Sequence, residues 1–228
     1  MTDFIFPPSN PVHIPIRGMT ATFPVRRLYC IGRNYAEHAI EMGHDPNREP
    51  PFFFQKNPDN ILLDDKFPYP SKSQDVHHEV ELVVALQAGG EDLSIEQAQE
   101  AIFGYAIGLD MTRRDLQATA KKMGRPWEIG KAFEASAPMS PITPRDGKTI
   151  LQDGQISLHV NGELRQNGNL NQMIWKIPEM IVYLSEHFCL APGDLIMTGT
   201  PAGVAAVTSG DRLEASIETL GTHVVTVL

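Results

Sequence analysis

The stretch Ser73–Leu86, Ser-Gln-Asp-Val-His-His-Glu-Val-Glu-Leu-Val-Val-Ala-Leu, limits the choice of fold more than any other part of this chain. It begins polar and ends as an unbroken apolar run. In an extended chain alternate residues share a face, so His77, Glu79 and Glu81 point one way and His78, Val80 and Leu82 the other. From Leu82 onward both faces are apolar, the pattern of a strand covered on both sides. Two carboxylates on one face at the mouth of such a strand repel each other and lose hydration. A hard divalent cation removes both costs, because Mg²⁺, Mn²⁺ and Ca²⁺ favour oxygen ligands. Taken alone, Glu-x-Glu also fits a solvated strand face, and a second stretch is needed to decide.

That second stretch is Ala101–Asp110, a continuous apolar run ending in an acid. As a strand it carries Phe103, Tyr105, Ile107 and Leu109 on a bulky face. Gly104, Ala106, Gly108 and Asp110 fall on a small-residue face, which leaves room for a ligand or a close backbone. Asp110 is then a third carboxylate at the end of a buried strand. Three convergent carboxylates with open positions suit a catalytic Mg²⁺ or Mn²⁺; the plain alternative for Asp110 is a helix N-cap.

The whole composition narrows the function classes. A net charge of −9 argues against nucleic acid or an anionic membrane as partner. Cys30 and Cys189 are the only cysteines and no Cys/His metal spacing occurs, so a disulfide framework is excluded and a reducing cytoplasm is expected. The first residues show no basic region followed by an apolar run, and no run reaches transmembrane length, so neither a signal peptide nor a membrane partner is expected.

Along the chain, residues 1–24 read as an extended, Pro-rich arm and residues 25–228 as one domain. Val25–Ile31 is a strand. Asn34–Met42 is a short helix, with Asn34 and Glu37 as a capping box and Gly43 closing it. On it His38 and Glu41 share a face, which makes either a carboxylate-oriented general base or a surface ion pair. Phe52–Phe54 begin a buried strand that delivers Lys56, a contact for an anion or a solvated strand-end lysine. Ser94–Ile102 is a helix with a Ser94/Gln97 capping box. Thr112–Met123 is a basic helix carrying Arg113, Arg114, Lys121 and Lys122, capped by Thr112 and Asp115, and suggests anion binding beside the acids. Lys131 sits among glycine and apolar residues, where a partly buried lysine can hold a carbonyl or carboxylate. Residues 137–150 read as a Pro-rich loop.

Farther on, Ile156–Val160 and Glu163–Gln166 flank Asn161-Gly162, a hairpin with a type I′ turn. Pro178–Phe188 is a helix. Thr198–Val204 is a tight Gly/Pro loop whose N–H groups could hold a carboxylate or simply turn the chain. Short strands dominate the second half, so the fold class is β-rich α+β rather than doubly wound.

Five segments carry a resemblance when taken in order: Gly32-Arg33-Asn34-Tyr35, His77-His78-Glu79-x-Glu81, Asp110-x-Thr112-x-Arg114-Asp115, Gly130-Lys131-x-Phe133 and Thr198-Gly199-Thr200-Pro201-x-Gly203-Val204. Together they resemble the fumarylacetoacetate hydrolase family, from about Val25 to the C-terminus. The arm and the wording around Met42–Pro46 are most similar to the fumarylpyruvate hydrolases (acylpyruvases) of bacterial gentisate breakdown. The resemblance implies that family's mixed β-sandwich roll with a few short peripheral helices, without the separate N-terminal domain of the animal enzymes, and usually a homodimer. It implies Glu79, Glu81 and Asp110 as ligands of Mg²⁺ or Mn²⁺, with Ca²⁺ able to replace them in crystals. It implies His38 and Glu41 as a water-activating pair, Lys131 as a lysine beside the metal, and Arg33, Lys56, Arg114, Gln117 and Thr200 as substrate contacts. Many relatives run Lys-Pro where this chain has Lys56-Asn57-Pro58.

The implied activity is metal-dependent hydrolysis of a carbon–carbon bond in an acylpyruvate, a small anionic 2,4-diketo acid. Fumarylpyruvate would give fumarate and pyruvate in aromatic catabolism. Oxaloacetate decarboxylation and isomerisation of unsaturated oxo-diacids use the same enolate chemistry and remain open.

Overall fold

The fold is that of a computed structural model, which describes residues 4–36, 49–147 and 149–228. Its centre is the strand Val80–Leu86, buried at every position. Leu82, Val84 and Leu86 enter one hydrophobic cluster; Val83 and Ala85 enter another on the opposite face. The absence of polar alternation beyond Glu81 thus has the cause read from the sequence: both faces are covered.

Val80–Leu86 lies inside a six-stranded sheet in the order Thr143–Pro144, Ile102–Leu109, Val80–Leu86, Asp194–Met197, Arg27–Gly32, Phe52–Lys56. Asp194–Met197 runs parallel to Arg27–Gly32, and the other pairings are antiparallel. A second sheet has the order Glu163–Asn169, Gln155–Val160, Arg212–Ile217, Gly221–Val227, Lys66–Phe67. The larger core lies between them, where Tyr29, Ile107 and Leu109 meet Ile156, Leu213 and Val225. The outer face of the six-stranded sheet is covered by the hairpin His13–Pro15/Thr22–Pro24, whose Ile14 and Phe23 pack with Leu28, Val83 and Met197. The arm thus supplies a separate two-stranded sheet that packs on that face.

Local readings succeed where the chemistry is local. Ser94 caps the helix Ile95–Glu100 and Gln97 returns the bond, a complete capping box. Asn161 and Gly162 both take positive φ, 53° and 82°, as a type I′ turn requires. The helix Ile177–His187 begins with its proline in the first turn.

Phe103 does not share a face with Tyr105: the ladder shifts so that Leu86 pairs Ile102 and Ala85 pairs Gly104. That bulge turns Phe103 to the outer cluster, against Phe23 at 5.5 Å between ring centroids. Thr112 does not cap a helix; Thr112–Arg113 is a strand and the helix runs Arg114–Lys122. Asp115 instead accepts bonds from Ser73 Oγ (2.7 Å) and Leu116 N (2.8 Å). The loop 137–150 contains two short strands, Ala137–Pro138 and Thr143–Pro144, the latter held against Gly104, where a Cβ would lie 2.3 Å from Thr143 O. Phe52–Lys56 is an edge strand, buried only at Lys56.

His223, on Gly221–Val227, keeps its Nε2 buried with no hydrogen-bond partner among the described residues. Burial, and then the Arg17 charge, lowers its pKa to about 4. Between about pH 6.5 and 4 the unfolded chain binds a proton there that the folded chain refuses. Stability is therefore lost as pH falls through that window, by at most about 3 kcal/mol, and the loss ends below it. Urea unfolding at pH 7 and pH 4.5 should show a smaller pH-dependent loss in His223→Asn than in the wild type; equal losses would refute the assignment.

Candidate active site

Two neighbouring strands bring the acids together. Val80–Leu86 pairs with Ile102–Leu109 so that Glu81 lies opposite Gly108. Just beyond the paired region Asp110 N donates to Glu79 O at 2.8 Å, which ties the two acids backbone to backbone. Glu79, Glu81 and Asp110 are all buried, and each offers an oxygen within 4.8 Å of the others. The expected convergence is present.

Cations surround the triad unevenly. Lys131 Nζ donates to Glu79 Oε2 (2.9 Å), Asp110 Oδ2 (2.6 Å) and Thr112 Oγ1 (2.7 Å), using all three of its hydrogens. Burial works against this ammonium, but Asp110 and Glu79 outweigh it and raise its pKa. Arg114 Nη2 pairs with Glu79 Oε1, while its Nη1 donates to Gln117 Oε1 at 2.7 Å. Glu81 differs. Gly199 N donates to its Oε2 at 2.8 Å, but no cationic side chain among the described residues lies within ion-pair distance. Burial first, then repulsion from Asp110 and Glu79, pushes its pKa well above the ordinary carboxylate value. A buried oxygen-only set with one uncompensated carboxylate is chemically suited to a hard divalent cation.

The acids sit at the floor of a small cleft. Arg33, Arg114, Gln117, Lys131 and Thr200 line it. Arg33 does so from a left-handed backbone, φ 59°, uncommon for a side chain of this kind. Lys56 is placed differently from the expectation. Its side chain is fully buried behind the triad, with Nζ 2.9 Å from Asp110 Oδ1 and donating to the Lys131 carbonyl. It braces Asp110 and does not line the cleft. Thr200 presents a hydroxyl already engaged: Oγ1 donates to Val80 O (2.7 Å) and accepts from Gln166 Nε2 (2.8 Å). The Thr198–Val204 loop does hold a carboxylate with its backbone, but that carboxylate is the protein's own Glu81. His38 and Glu41 lie outside the described residues.

Asn34, expected as a helix cap, spends its side chain elsewhere. Its Oδ1 accepts from Trp175 N (2.7 Å) and its Nδ2 donates to Thr198 O (2.9 Å), which joins the Arg27–Gly32 strand end to the glycine loop. Gln166 is buried at the centre of a second network. Its Oε1 accepts from Val80 N (3.1 Å) and meets His78 Nδ1 (2.9 Å); its Nε2 donates to Thr200 Oγ1 and Pro201 O, both at 2.8 Å. A glutamine on a hairpin strand carries no sequence mark of burial. The loop packs closely over it: a Cβ on Gly203 would fall 2.0 Å from Arg165 O, and one on Gly168 would fall 2.8 Å from Pro201. Gln166→Leu strands Val80 N, His78 Nδ1 and Pro201 O and should cost about 2–4 kcal/mol in urea unfolding; a cost near zero would show that these bonds do not hold the loop.

Three carboxylates converging at strand ends, on a cleft walled by cations, define an enzyme-like site built for a hard metal and an anion. Residues 27–228 match the family described as fumarylacetoacetate (FAA) hydrolase C-terminal, and the chain belongs to that family, a family of hydrolase enzymes. The crystal structure of fumarylpyruvate hydrolase from Pseudomonas aeruginosa in complex with Mn²⁺ and pyruvate superposes with a TM-score of 0.95, at 50% identity, over 99% of each chain. A fumarylpyruvate hydrolase of Ralstonia sp. is 43% identical over 175 residues, 76% of this chain and 91% of that one. An oxaloacetate tautomerase of Escherichia coli K12 is 42% identical over 205 residues, 89% of this chain and 93% of that one. No helix among the described residues is long and apolar enough to cross a membrane.

Proposed function

We infer that this chain is a divalent-metal-dependent acylpyruvate hydrolase, which splits the carbon–carbon bond between the two ketones of a 2,4-diketo acid. Fumarylpyruvate, giving fumarate and pyruvate in aromatic (gentisate) catabolism, is the substrate that fits best. The observation that carries this is the buried triad Glu79, Glu81 and Asp110 with Lys131 bridging two of its members. The match over 99% of the chain to an enzyme solved with Mn²⁺ and pyruvate supports it.

The triad would hold Mg²⁺ or Mn²⁺, which would supply Lewis acidity at the 2-oxo acid end of the substrate. Arg114, which lines the cleft and pairs with Glu79, places its positive charge beside the substrate carboxylate. His38, oriented by Glu41, takes a proton from water as its oxygen adds to the distal carbonyl; this assignment rests on the sequence resemblance. The bond between the carbonyl-bearing carbon and the methylene carbon breaks. The electron pair passes to pyruvate as its enolate, beside the Lys131 ammonium, which stabilises that charge. Protonation at carbon completes pyruvate. Lys56 keeps Asp110 in place from behind. On the family resemblance and the two free cysteines, the working form is a cytoplasmic homodimer.

A second reading, oxaloacetate tautomerisation or decarboxylation, is favoured by the 42% identity to the Escherichia coli tautomerase. The same cations would serve its enolate. Parallel assays of Mn²⁺-loaded protein on fumarylpyruvate and oxaloacetate separate the two. Fumarate and pyruvate released in equal amounts from the first, at a specificity constant well above that for any conversion of the second, support the hydrolase. Conversion of oxaloacetate alone would replace that reading with the second.

A further inference from the structure

Val80, the residue between Glu79 and Glu81, opens the central strand at a place where one neighbouring strand has already turned away. Asp194–Met197 pairs with Val80–Leu86 only as far as Met197 opposite Val83. Beyond that point side chains continue the ladder. Thr198 N and Oγ1 both donate to Leu82 O at 3.0 Å, and Thr200 Oγ1 donates to Val80 O at 2.7 Å. Val80 N donates to Gln166 Oε1 at 3.1 Å. The opposite edge is held by the strand Ile102–Leu109 and by Asp110 N on Glu79 O. The two glutamates of the triad therefore project from a strand end that a regular ladder fixes on one side and side chains fix on the other.

Gln166 reaches this edge because of a bulge. Leu158 pairs with Gln166, but His159 pairs with Leu164, so Arg165 is an extra residue in the strand Glu163–Asn169. Regular alternation would put Gln166 on the face of the exposed Leu164; the bulge turns it inward, and it is the one buried residue of that strand. Its amide is fixed at both ends. Val80 N–H can only donate and Pro201 O can only accept, so Oε1 takes the first bond and Nε2 gives the second. His78 then carries its proton on Nδ1 to meet Oε1. Nε2 also donates to Thr200 Oγ1, which leaves that hydroxyl's proton for Val80 O. One amide thus ties the strand that carries the acids to the loop whose Gly199 N–H holds Glu81.

We propose that Gln166 is a positioning residue of the metal centre, one that sets the stance of Glu79 and Glu81 through Val80 N and the meeting of Gly199 N–H with Glu81 through Thr200 and Pro201. Gln166 itself is not among the residues lining the cleft, so it acts through the ligands and not on the substrate. The proposal rests on the triad as a site for Mg²⁺ or Mn²⁺ and is independent of which oxo acid is turned over. Removing a partner that orients metal ligands typically weakens the metal by about ten- to a hundredfold.

The test is calorimetric titration of the metal-free protein with Mn²⁺ alone, with a thermal melt of each variant to verify folding. Gln166→Leu should weaken Mn²⁺ by about tenfold or more. Gln166→Asn keeps an amide but is a methylene too short to span Val80 N and Pro201 O; it should weaken Mn²⁺ in the same direction, and it serves if Gln166→Leu does not fold. Ile217→Ala is the control, a truncation in the buried core of the second sheet that also lowers the melting temperature. It should leave Mn²⁺ binding within about twofold of the wild type, because lost stability alone does not move a ligand in a protein that is still folded. Unchanged Mn²⁺ binding in the folded Gln166 variant, or equal weakening in Ile217→Ala, overturns the proposal. A wild type that takes up no Mn²⁺ overturns it together with the triad as a metal site. Weakening in the Gln166 variant, beside a wild type that binds Mn²⁺ but does not cleave fumarylpyruvate, keeps the proposal and overturns the hydrolase reading alone.

Discussion

Glu81→Gln is expected to raise the melting temperature of the metal-free protein, by on the order of 5 °C, while abolishing its further rise on adding Mn²⁺. The two effects share one cause. Glu79 has Arg114 and Lys131, and Asp110 has Lys56 and Lys131, but among the described residues Glu81 has no cation at ion-pair distance and takes the Gly199 N–H instead. Its charge is buried against two like charges without a cation of its own. Because its folded pKa is raised, the metal-free protein loses stability as pH rises past the ordinary carboxylate value, and at pH 7 that cost is present. An amide of the same shape still accepts from Gly199 and can donate to a neighbouring carboxylate, so the repulsion goes and the hydrogen bond stays. The same substitution removes a ligand charge, and activity should fall about a thousandfold or more. Differential scanning calorimetry with and without Mn²⁺, beside an activity assay, reads all three. A lower melting temperature in the metal-free variant, or a retained response to Mn²⁺, would contradict the charge assignment.

Lys131→Met should act in the opposite sense on stability. The ammonium is buried and bridges Glu79 and Asp110, so removing it leaves two carboxylates facing each other in the interior. Breaking a buried pair from one side costs about 3–5 kcal/mol, which lowers the metal-free melting temperature by on the order of 10 °C. Mn²⁺ should restore part of this, since a cation held by the same oxygens replaces the missing charge. Turnover should not return, because the group next to the departing enolate is gone. Recovery of near wild-type turnover in the Mn²⁺-loaded variant would remove Lys131 from the reaction.

The fold and site were legible in the sequence to different depths. The triad was readable because buried strands leave few polar residues, and three carboxylates at strand ends are hard to explain otherwise. Capping and turn chemistry at Ser94 and Asn161-Gly162 depends on near neighbours, so it too could be read directly. Alternation places Phe103 on the wrong face because it assumes an unbroken ladder, and a bulge is set by the partner strand. Lys56 reads as a solvated strand-end lysine or an anion contact until Asp110 closes over it. Gln166 and Asn34 bind segments more than thirty residues away. Their roles depend on the tertiary path of the chain, which spacing does not encode.

The most direct measurement is fumarate release from fumarylpyruvate by protein stripped with EDTA and then restored with Mn²⁺. The triad assignment predicts negligible release after stripping, full return on restoration, and no return in Glu81→Gln. Equal release before and after stripping would contradict it.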